Sequence, residues 1–176
     1  KMTEAIYLFN TTQTPSLSEV GGKAQSLIRS TQAGLPVPGG LALSVAFFAD
    51  WTAQMKATPE WSALLDDPTK ANCDAVKQLA QGLVFTDEMR REFESKLAQL
   101  GPDWIFAVRS SSPEEDLAGT SFAGMYETFL GTQADQLEEI VAKAYSSMFD
   151  IRVVQYKAKH GLSAENAAIS VIVQQQ

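Results

Sequence analysis

The chain has 176 residues, of which 45% are hydrophobic, 20% charged and 9% aromatic, and its formal net charge at pH 7 is -7. This length and apolar content indicate one ordinary globular domain or two small lobes, and they exclude a disordered or collagen-like chain. Because acidic residues outnumber basic ones and no basic residues cluster in a stripe, general nucleic-acid binding is excluded. No stretch approaches the roughly 20 apolar residues that span a bilayer, which excludes a membrane role.

Hydrophobic periodicity in the first quarter of the chain predicts two short strands, at residues 5–9 and 41–43, separated by a helix. That helix is predicted to open at Gly21-Gly22. Gly34 occupies the position at which a residue in the left-handed conformation ends a helix, and two prolines soon after it prevent continuation. The pattern is therefore strand, helix, strand.

The next stretch predicts further helices separated by a long loop. Ser44 is placed to cap a helix, whereas residues 56–72 are rich in Pro, Asp and Thr and are predicted as a loop with one helical turn at 61–65. Two amphipathic helices follow this loop, and Thr86 is the predicted N-cap of the second. Gly101-Pro102 ends that helix.

The second half of the chain begins with residues 104–108, an apolar run that predicts a strand buried on both faces. Residues 109–131 form the least regular segment. Two helices are predicted after it, the second at about residues 150–159, and a final strand at 167–173. Because helices dominate and the strands are widely spaced, the predicted class is α/β to α+β, with a mixed sheet flanked by helices.

The irregular segment carries the residues most suited to binding phosphate. Arg109 stands at the end of the predicted strand, and three serines, an acidic turn and a loop of small residues follow it. Small residues let backbone N–H groups surround phosphate oxygens, and arginine adds a permanently charged, forked donor. The functional interpretation is a phosphate-binding loop, although no G-x-x-x-x-G-K-[ST] motif is present. The alternative is a solvated Ser/Gly surface loop, with Glu114, Glu115 and Asp116 as a solvated turn.

A second segment, Gly21-Gly22-Lys23, is a weaker candidate for anion binding. Lys23 lies at a predicted helix start, where the helix dipole disfavours a cation. An anion bound at the same helix terminus would account for the lysine. The alternative is an ordinary surface lysine.

The only cysteine and the only histidine support no site of their own. Cys73 cannot form an internal disulfide, which fits a reducing cytosol, and nothing cationic beside it in the sequence would stabilise a thiolate. With one cysteine and one histidine, a structural zinc site is excluded. His160 precedes Gly161 at a predicted helix end, which favours a role at the helix dipole over a role as a catalytic base. The predicted location is cytoplasmic.

Taken together and in this order, these segments resemble the nucleotide-binding domain of the pyruvate phosphate dikinase and phosphoenolpyruvate synthase family, which includes the rifampin phosphotransferases. The matching strings are VGGKAQSL at 20–27, AGLPVPGGLALS at 33–44 and FAVRSSSPEEDLAGTSFAGMYETFLG at 106–131. A weaker match is AISVIVQ at 168–174. The similarity covers nearly the whole chain and is loosest between residues 56 and 103.

The resemblance implies an ATP-grasp fold, in which two lobes hold ATP between them, with residues 1–176 forming the first lobe. It implies roles in ATP binding for six residues: Lys23 and Arg109 at the phosphates, Ser121, Gly124 and Thr128 in the loop over the β- and γ-phosphates, and Gln174 near the adenine pocket. No complete catalytic set is implied here, and Arg109 is the strongest contributor. His160 does not fit the pattern of the family's carrier histidine.

The resemblance also implies what the activity requires beyond these residues. In the family, the ligands of Mg²⁺ come from the second lobe, and the phosphohistidine and acceptor domains follow it. We therefore expect ATP and the rest of the same polypeptide as partners, and no turnover by these 176 residues alone. The implied function is transfer of phosphate from ATP, through a carrier histidine, to pyruvate. The alternatives are an antibiotic phosphotransferase of the rifampin type and a non-catalytic nucleotide-binding or interaction module.

Overall fold

The computed structural model describes residues 4–113, 127–163, 165 and 168–176. Within these residues, five strands form one sheet: β1 (Ile6–Leu8), β2 (Gly40–Leu43), β3 (Ile105–Ser111), β4 (Thr128–Gln133) and β5 (Ser170–Gln175). The α-helices are α1 (Leu17–Gln32), α2 (Ala49–Lys56), α3 (Pro59–Asp66), α4 (Lys70–Gln81), α5 (Asp87–Ala98), α6 (Leu137–Ser146) and α7 (Ile151–Lys159). Short 3₁₀ turns occupy Val45–Phe48, Ala134–Gln136 and Ser147–Phe149.

The strand order is β1-β2-β5-β3-β4, which places the last strand of the chain at the centre of the sheet. All four neighbouring pairs are antiparallel. The predicted class, a sheet flanked by helices, is confirmed, but the pairing is antiparallel throughout the described strands rather than mixed. One row of paired residues crosses all five strands, through Tyr7, Ala42, Ile172, Arg109 and Thr128.

The two faces of the sheet carry cores of different size, because successive residues of a strand point to opposite faces. The larger core packs helices α2 to α7 against strand residues that include Leu41, Val108 and Val173. On the other face, Tyr7, Ala42 and Ile172 pack against Val20, Ala24 and Ile28 of α1. Helix α1 therefore covers the face on which the row through Arg109 lies.

Several predicted elements agree with the structure. Thr86 caps α5 by accepting a hydrogen bond from the backbone N–H of Met89 at 3.2 Å. Gly34 follows the end of α1 with a φ of +82°, as its position predicts. The final strand and the helix that ends at His160 are also confirmed, with bounds that differ by a few residues.

The loop predicted at residues 56–72 is wrong. Helix α3 occupies Pro59–Asp66, which includes the predicted turn at 61–65, and α4 begins at Lys70. The threonines that suggested a loop are helix caps, since Thr58 Oγ1 accepts from Trp61 N at 3.2 Å and Thr69 Oγ1 accepts from Asn72 N at 3.1 Å. A polar, proline-containing stretch was therefore two capped helix starts.

Two further expectations fail in detail. The Ser44 hydroxyl does not cap the following turn but donates to the carbonyls of Glu4 and Ala5, at 3.0 and 2.8 Å. The strand predicted as buried on both faces begins with exposed residues, Trp104 at 43% and Ile105 at 47%. These two residues lie at the opposite end of β3 from Ser111, which α1 contacts.

Among the described residues, no helix is both long and apolar enough to cross a membrane.

Candidate functional site

Arg109 and Gln174, two of the residues predicted to bind ATP, are in direct contact. Arg109 Nη2 donates a hydrogen bond to Gln174 Oε1 at 2.6 Å, and Gln174 Nε2 donates to the carbonyl of Pro38 at 3.1 Å. The Gln174 side chain is thus fixed between the guanidinium and the chain that enters β2. Gln174 is only 7% exposed, so its side of this contact is buried.

The Arg109 guanidinium keeps unused hydrogen-bonding capacity. Its Nε is buried and has no hydrogen-bond partner among the described residues. A guanidinium carries five N–H donors in a fixed plane, and a buried donor without an acceptor costs about 1–3 kcal/mol. An anion with several oxygens, such as a phosphate, would supply the missing acceptors.

Thr128 lies directly opposite Arg109, because the two residues are paired in the β3–β4 register. Its strand was not predicted; the sequence analysis included residues 128–131 in the irregular segment. Thr128 and Leu130 are exposed on this strand, Leu130 by 68%. The structure therefore brings Thr128, Arg109 and Gln174 together on one face of the sheet, with Thr128 exposed, Arg109 partly buried and Gln174 buried. Ser121, Gly124 and the acidic residues 114–116 lie outside the described residues.

Lys23 is positioned by a break in α1. Helix α1 begins at Leu17, earlier than predicted, but a break at Gly21 divides it, so a helical segment does open at the predicted Gly21-Gly22. Gly21 interrupts the helix with φ 78° and ψ 169°, so that Lys23 lies in the first turn after the break and is exposed. A Cβ on Gly21 would lie 2.6 Å from Ser111 Oγ and 2.9 Å from Ser111 O, which explains the glycine.

Two buried serines connect this break to the sheet. Ser111 Oγ donates to the carbonyl of Val20 at 2.8 Å and accepts from the backbone N–H of Ala24 at 3.4 Å. The Ser170 hydroxyl lies against the same Val20 carbonyl and against Ser111 O. Ser111 is two residues beyond Arg109 on the same side of β3, so the Lys23 segment is joined to the strand that carries Arg109. Sequence reasoning gave Ser111 and Ser170 no separate role.

A lysine from the helical layer contacts the residue that precedes β4. Lys77 Nζ lies 3.6 Å from Glu127 Oε1 and 3.3 Å from Asp150 Oδ2. Burial raises the pKa of Asp150, but hydrogen bonds from Arg152 and Lys77 outweigh it and hold that pKa below its ordinary value. Sequence reasoning missed Lys77 because its two partners are 50 and 73 residues away along the chain, and no local pattern marks it.

Cys73 and His160 lie outside this arrangement. Cys73 is fully buried in α4, and burial, together with the charges of Asp74 and Asp150, raises the pKa of its thiol to about 11. His160 follows the end of α7, where its ring lies against Tyr156 with centroids 4.4 Å apart. The described part of the chain contains no group of three or more His, Cys, Asp and Glu residues that could hold a metal ion.

A cleft of about 460 Å³ lies elsewhere, between β1 and α5. Its lining includes Glu4, Ile6, Arg91, Glu92 and Lys96, and therefore carries both signs of charge over an apolar floor. None of the predicted ATP-binding residues that the structure describes lines it. Arg109, Thr128 and Gln174 instead lie on the α1 face of the sheet, toward its β4 edge.

Comparison with known proteins identifies related chains. The family described as "Pyruvate phosphate dikinase, AMP/ATP-binding domain" matches residues 17–176. Phosphoenolpyruvate synthase of Escherichia coli is 32% identical over an alignment of 176 positions, in which 90% of this chain and 22% of that protein are covered. An uncharacterized phosphotransferase of Bacillus subtilis, YvkC, is 32% identical over 158 residues, covering 88% of this chain and 17% of that protein. Rifampicin phosphotransferase of a Streptomyces species is 29% identical over 167 residues, covering 90% and 19%. The chain thus spans about a fifth of the length of these relatives.

Proposed function

The chain belongs to the pyruvate phosphate dikinase AMP/ATP-binding domain family, and from that premise we propose that Lys23, Arg109 and Thr128 bind the phosphates of ATP. The observation that supports this most is the Arg109 side chain: it lies beside Thr128, is held by Gln174 at 2.6 Å, and has a buried Nε without an acceptor among the described residues. Such a guanidinium is suited to an anion with several oxygens.

The proposed chemistry is charge neutralisation and positioning. Phosphoryl transfer depends on holding the triphosphate in place and on neutralising its charge as the bond to the leaving group breaks. Arg109 would supply a forked donor, and Lys23 would supply a point charge beside the first backbone N–H groups after the Gly21 break. Gln174 would fix the direction of the guanidinium and lie toward the adenine. Ser121 and Gly124 enter the proposal through the family motif alone.

We propose that this lobe serves a phosphotransferase that moves phosphate from ATP, through a carrier histidine, to pyruvate. The support is the similarity to proteins named phosphoenolpyruvate synthase, such as that of Escherichia coli. The Streptomyces rifampicin phosphotransferase supports a second candidate, in which an antibiotic accepts the phosphate. The two candidates share this lobe and differ in the acceptor, which would be bound elsewhere in a longer protein.

The metal is part of the proposal only by family membership. Within the described residues there is no group of three or more His, Cys, Asp and Glu side chains that could hold a metal ion. On this proposal the residues 1–176 form the first lobe of an ATP-grasp domain, and the ligands of Mg²⁺ come from the second.

The test is calorimetric titration of the full-length protein with Mg-ATP. Arg109→Met and Lys23→Met should each weaken ATP binding by roughly 10- to 100-fold, since a charge-assisted hydrogen bond contributes about 1.5–3 kcal/mol. Lys70→Met is the control: it removes the same charge from an exposed lysine that pairs with Asp74 on α4. Equal ATP affinity in the wild type and all variants would refute the proposed phosphate site.

A turnover assay separates the candidate functions. Pyruvate-dependent consumption of ATP by the full-length protein would support the first candidate, and consumption that depends on rifampicin would support the second. ATP binding without consumption in the presence of either acceptor would instead support a non-catalytic nucleotide-binding module.

A further inference from the structure

We infer that Ser111 and Ser170 are positioning residues, which hold the break in α1 against the sheet and thereby set the place of Lys23 relative to Arg109. The inference rests on the proposed function, because it matters only if both cations bind the same triphosphate. It assigns a role to two buried hydroxyl groups that do not themselves contact the proposed ligand.

At the break in α1, the Ser111 hydroxyl replaces a hydrogen bond of the helix backbone. In a continuous α-helix the carbonyl of Val20 would accept the N–H of Ala24, four residues later. Gly21 departs from helical geometry between them, and the Ser111 hydroxyl contacts both atoms: it donates to Val20 O at 2.8 Å and accepts from Ala24 N at 3.4 Å. A side chain of β3 thus takes the place of one helical hydrogen bond.

Ser170, on the neighbouring strand β5, supports the same contact with α1. It is paired directly with Ser111 in the β3–β5 register, and its hydroxyl lies within hydrogen-bonding distance of both Val20 O and Ser111 O. One hydroxyl proton can serve only one acceptor at a time, so the Val20 carbonyl always has at least one serine donor available. Neither serine is more than 1% exposed, which keeps water from replacing these bonds.

The hydrogen bonds of Ser111 and Ser170 link the segment that carries Lys23 to the strand that carries Arg109. Arg109 and Ser111 lie on the same side of β3, about 7 Å apart along the strand. Lys23 immediately precedes Ala24, whose N–H bonds to Ser111. Buried, fully paired polar networks are rigid, so the hydroxyl groups fix the backbone of Lys23 at a constant distance from the Arg109 backbone. Removing them frees α1 to shift while Arg109 stays with the sheet.

The experiment compares three serine-to-alanine variants of the full-length protein. Ser111→Ala and Ser170→Ala remove the hydroxyls in question. Ser44→Ala is the matched control, because Ser44 is equally buried and its hydroxyl also lies within hydrogen-bonding distance of two backbone carbonyls, those of Glu4 and Ala5. All three should lower the thermal unfolding temperature by similar amounts, since each leaves buried carbonyls with fewer donors.

Nucleotide affinity distinguishes a positioning role from a purely structural one, because loss of stability alone would not change it. Ser111→Ala and Ser170→Ala should weaken ATP binding about five- to tenfold and leave adenosine binding unchanged, whereas Ser44→Ala should leave both unchanged. In the Ser111→Ala background, Lys23→Met should also cost less ATP affinity than in the wild type, because Lys23 is already misplaced. If Ser111→Ala fails to fold, Ser170→Ala decides the question by the same titrations.

Two negative outcomes have different meanings. If Arg109→Met weakens ATP binding but Ser111→Ala and Ser170→Ala behave like Ser44→Ala, the positioning role is refuted and the phosphate site stands. If Arg109→Met also leaves ATP binding unchanged, the proposed phosphate site itself is refuted, and the positioning role with it.

Discussion

Replacing Gly21 by alanine tests how the break in α1 is built. Its φ of 78° and ψ of 169° fall in a region that is essentially restricted to glycine, and a residue with a Cβ there costs about 1–3 kcal/mol. The new Cβ would also lie 2.6 Å from Ser111 Oγ and 2.9 Å from Ser111 O, and overpacking of this kind costs about 1–3 kcal/mol more. Gly21→Ala should therefore destabilise the packing of α1 on the sheet by about 2–6 kcal/mol.

Gly34→Ala is the matched control for this change. Gly34 also has a positive φ, of +82°, but a Cβ there would meet nothing within 4 Å. We expect only the backbone cost, about 1–2 kcal/mol. The assay is hydrogen–deuterium exchange of the full-length protein, followed in peptides from α1 and β3. Since only Gly21→Ala carries the overpacking cost of about 1–3 kcal/mol, exchange in these peptides should be about 5- to 150-fold faster in Gly21→Ala than in Gly34→Ala. Equal exchange in the two variants would show that the contact between Gly21 and Ser111 carries no energy.

Three further predictions concern stability and reactivity. The Cys73 thiol should not react with a thiol reagent at about pH 8 until the protein unfolds, since burial raises its pKa to about 11; rapid reaction of the native protein would contradict this. Thr86→Ala should cost about 1 kcal/mol of stability in thermal or denaturant unfolding and Thr86→Ser much less, because the hydroxyl caps α5; equal losses would argue against the cap. Asp150→Asn should destabilise the protein at pH 7 but not near about pH 2, as unfolding measured at both pH values can show. Burial raises the pKa of Asp150, but hydrogen bonds from Arg152 and Lys77 lower it by more, so the folded pKa lies below the unfolded value of about 4. The contribution of Asp150 to folding stability is therefore present above the unfolded pKa and is lost as the pH falls through the folded pKa. A difference that did not change with pH would contradict that sign.

Local signals predicted most of the helices and four of the five strands. Thr86 as a cap and Gly34 as a helix end depend only on neighbours in the chain, and the structure confirms both. Strand β4 was missed because its sequence, TFLGTQ, contains Gly131 and mostly exposed residues, so it shows no clear alternation. Its pairing with β3 defines it, and that pairing joins residues far apart in the sequence.

The composition of residues 56–72 was misleading for a different reason. Proline and threonine punctuate loops, but proline also starts helices and threonine caps them. Pro59 is the first residue of α3, and Thr58 and Thr69 cap α3 and α4. Proline and threonine are frequent both in a loop and at two closely spaced helix starts, so composition cannot distinguish the two. Only the hydrogen bonds of the caps do.

The sequence motifs named the residues of the candidate site one by one, and their role in binding stays a prediction, but the motifs did not predict the geometry. The motifs in the sequence singled out Arg109 and Gln174 separately, and the contact between them follows from the register of β3 with β5. Likewise, Ser111 reaches Val20 across 91 positions of the chain. No local pattern encodes such pairings, because they depend on how the sheet and α1 pack as a whole.

A crystal structure of the full-length protein with a non-hydrolysable ATP analogue would show directly whether Arg109 and Lys23 bind the phosphates. We expect triphosphate oxygens within hydrogen-bonding distance of the Arg109 guanidinium and the Lys23 ammonium, with Gln174 still in contact with Arg109. A nucleotide bound elsewhere, for example in the cleft between β1 and α5, with both cations away from its phosphates, would contradict it.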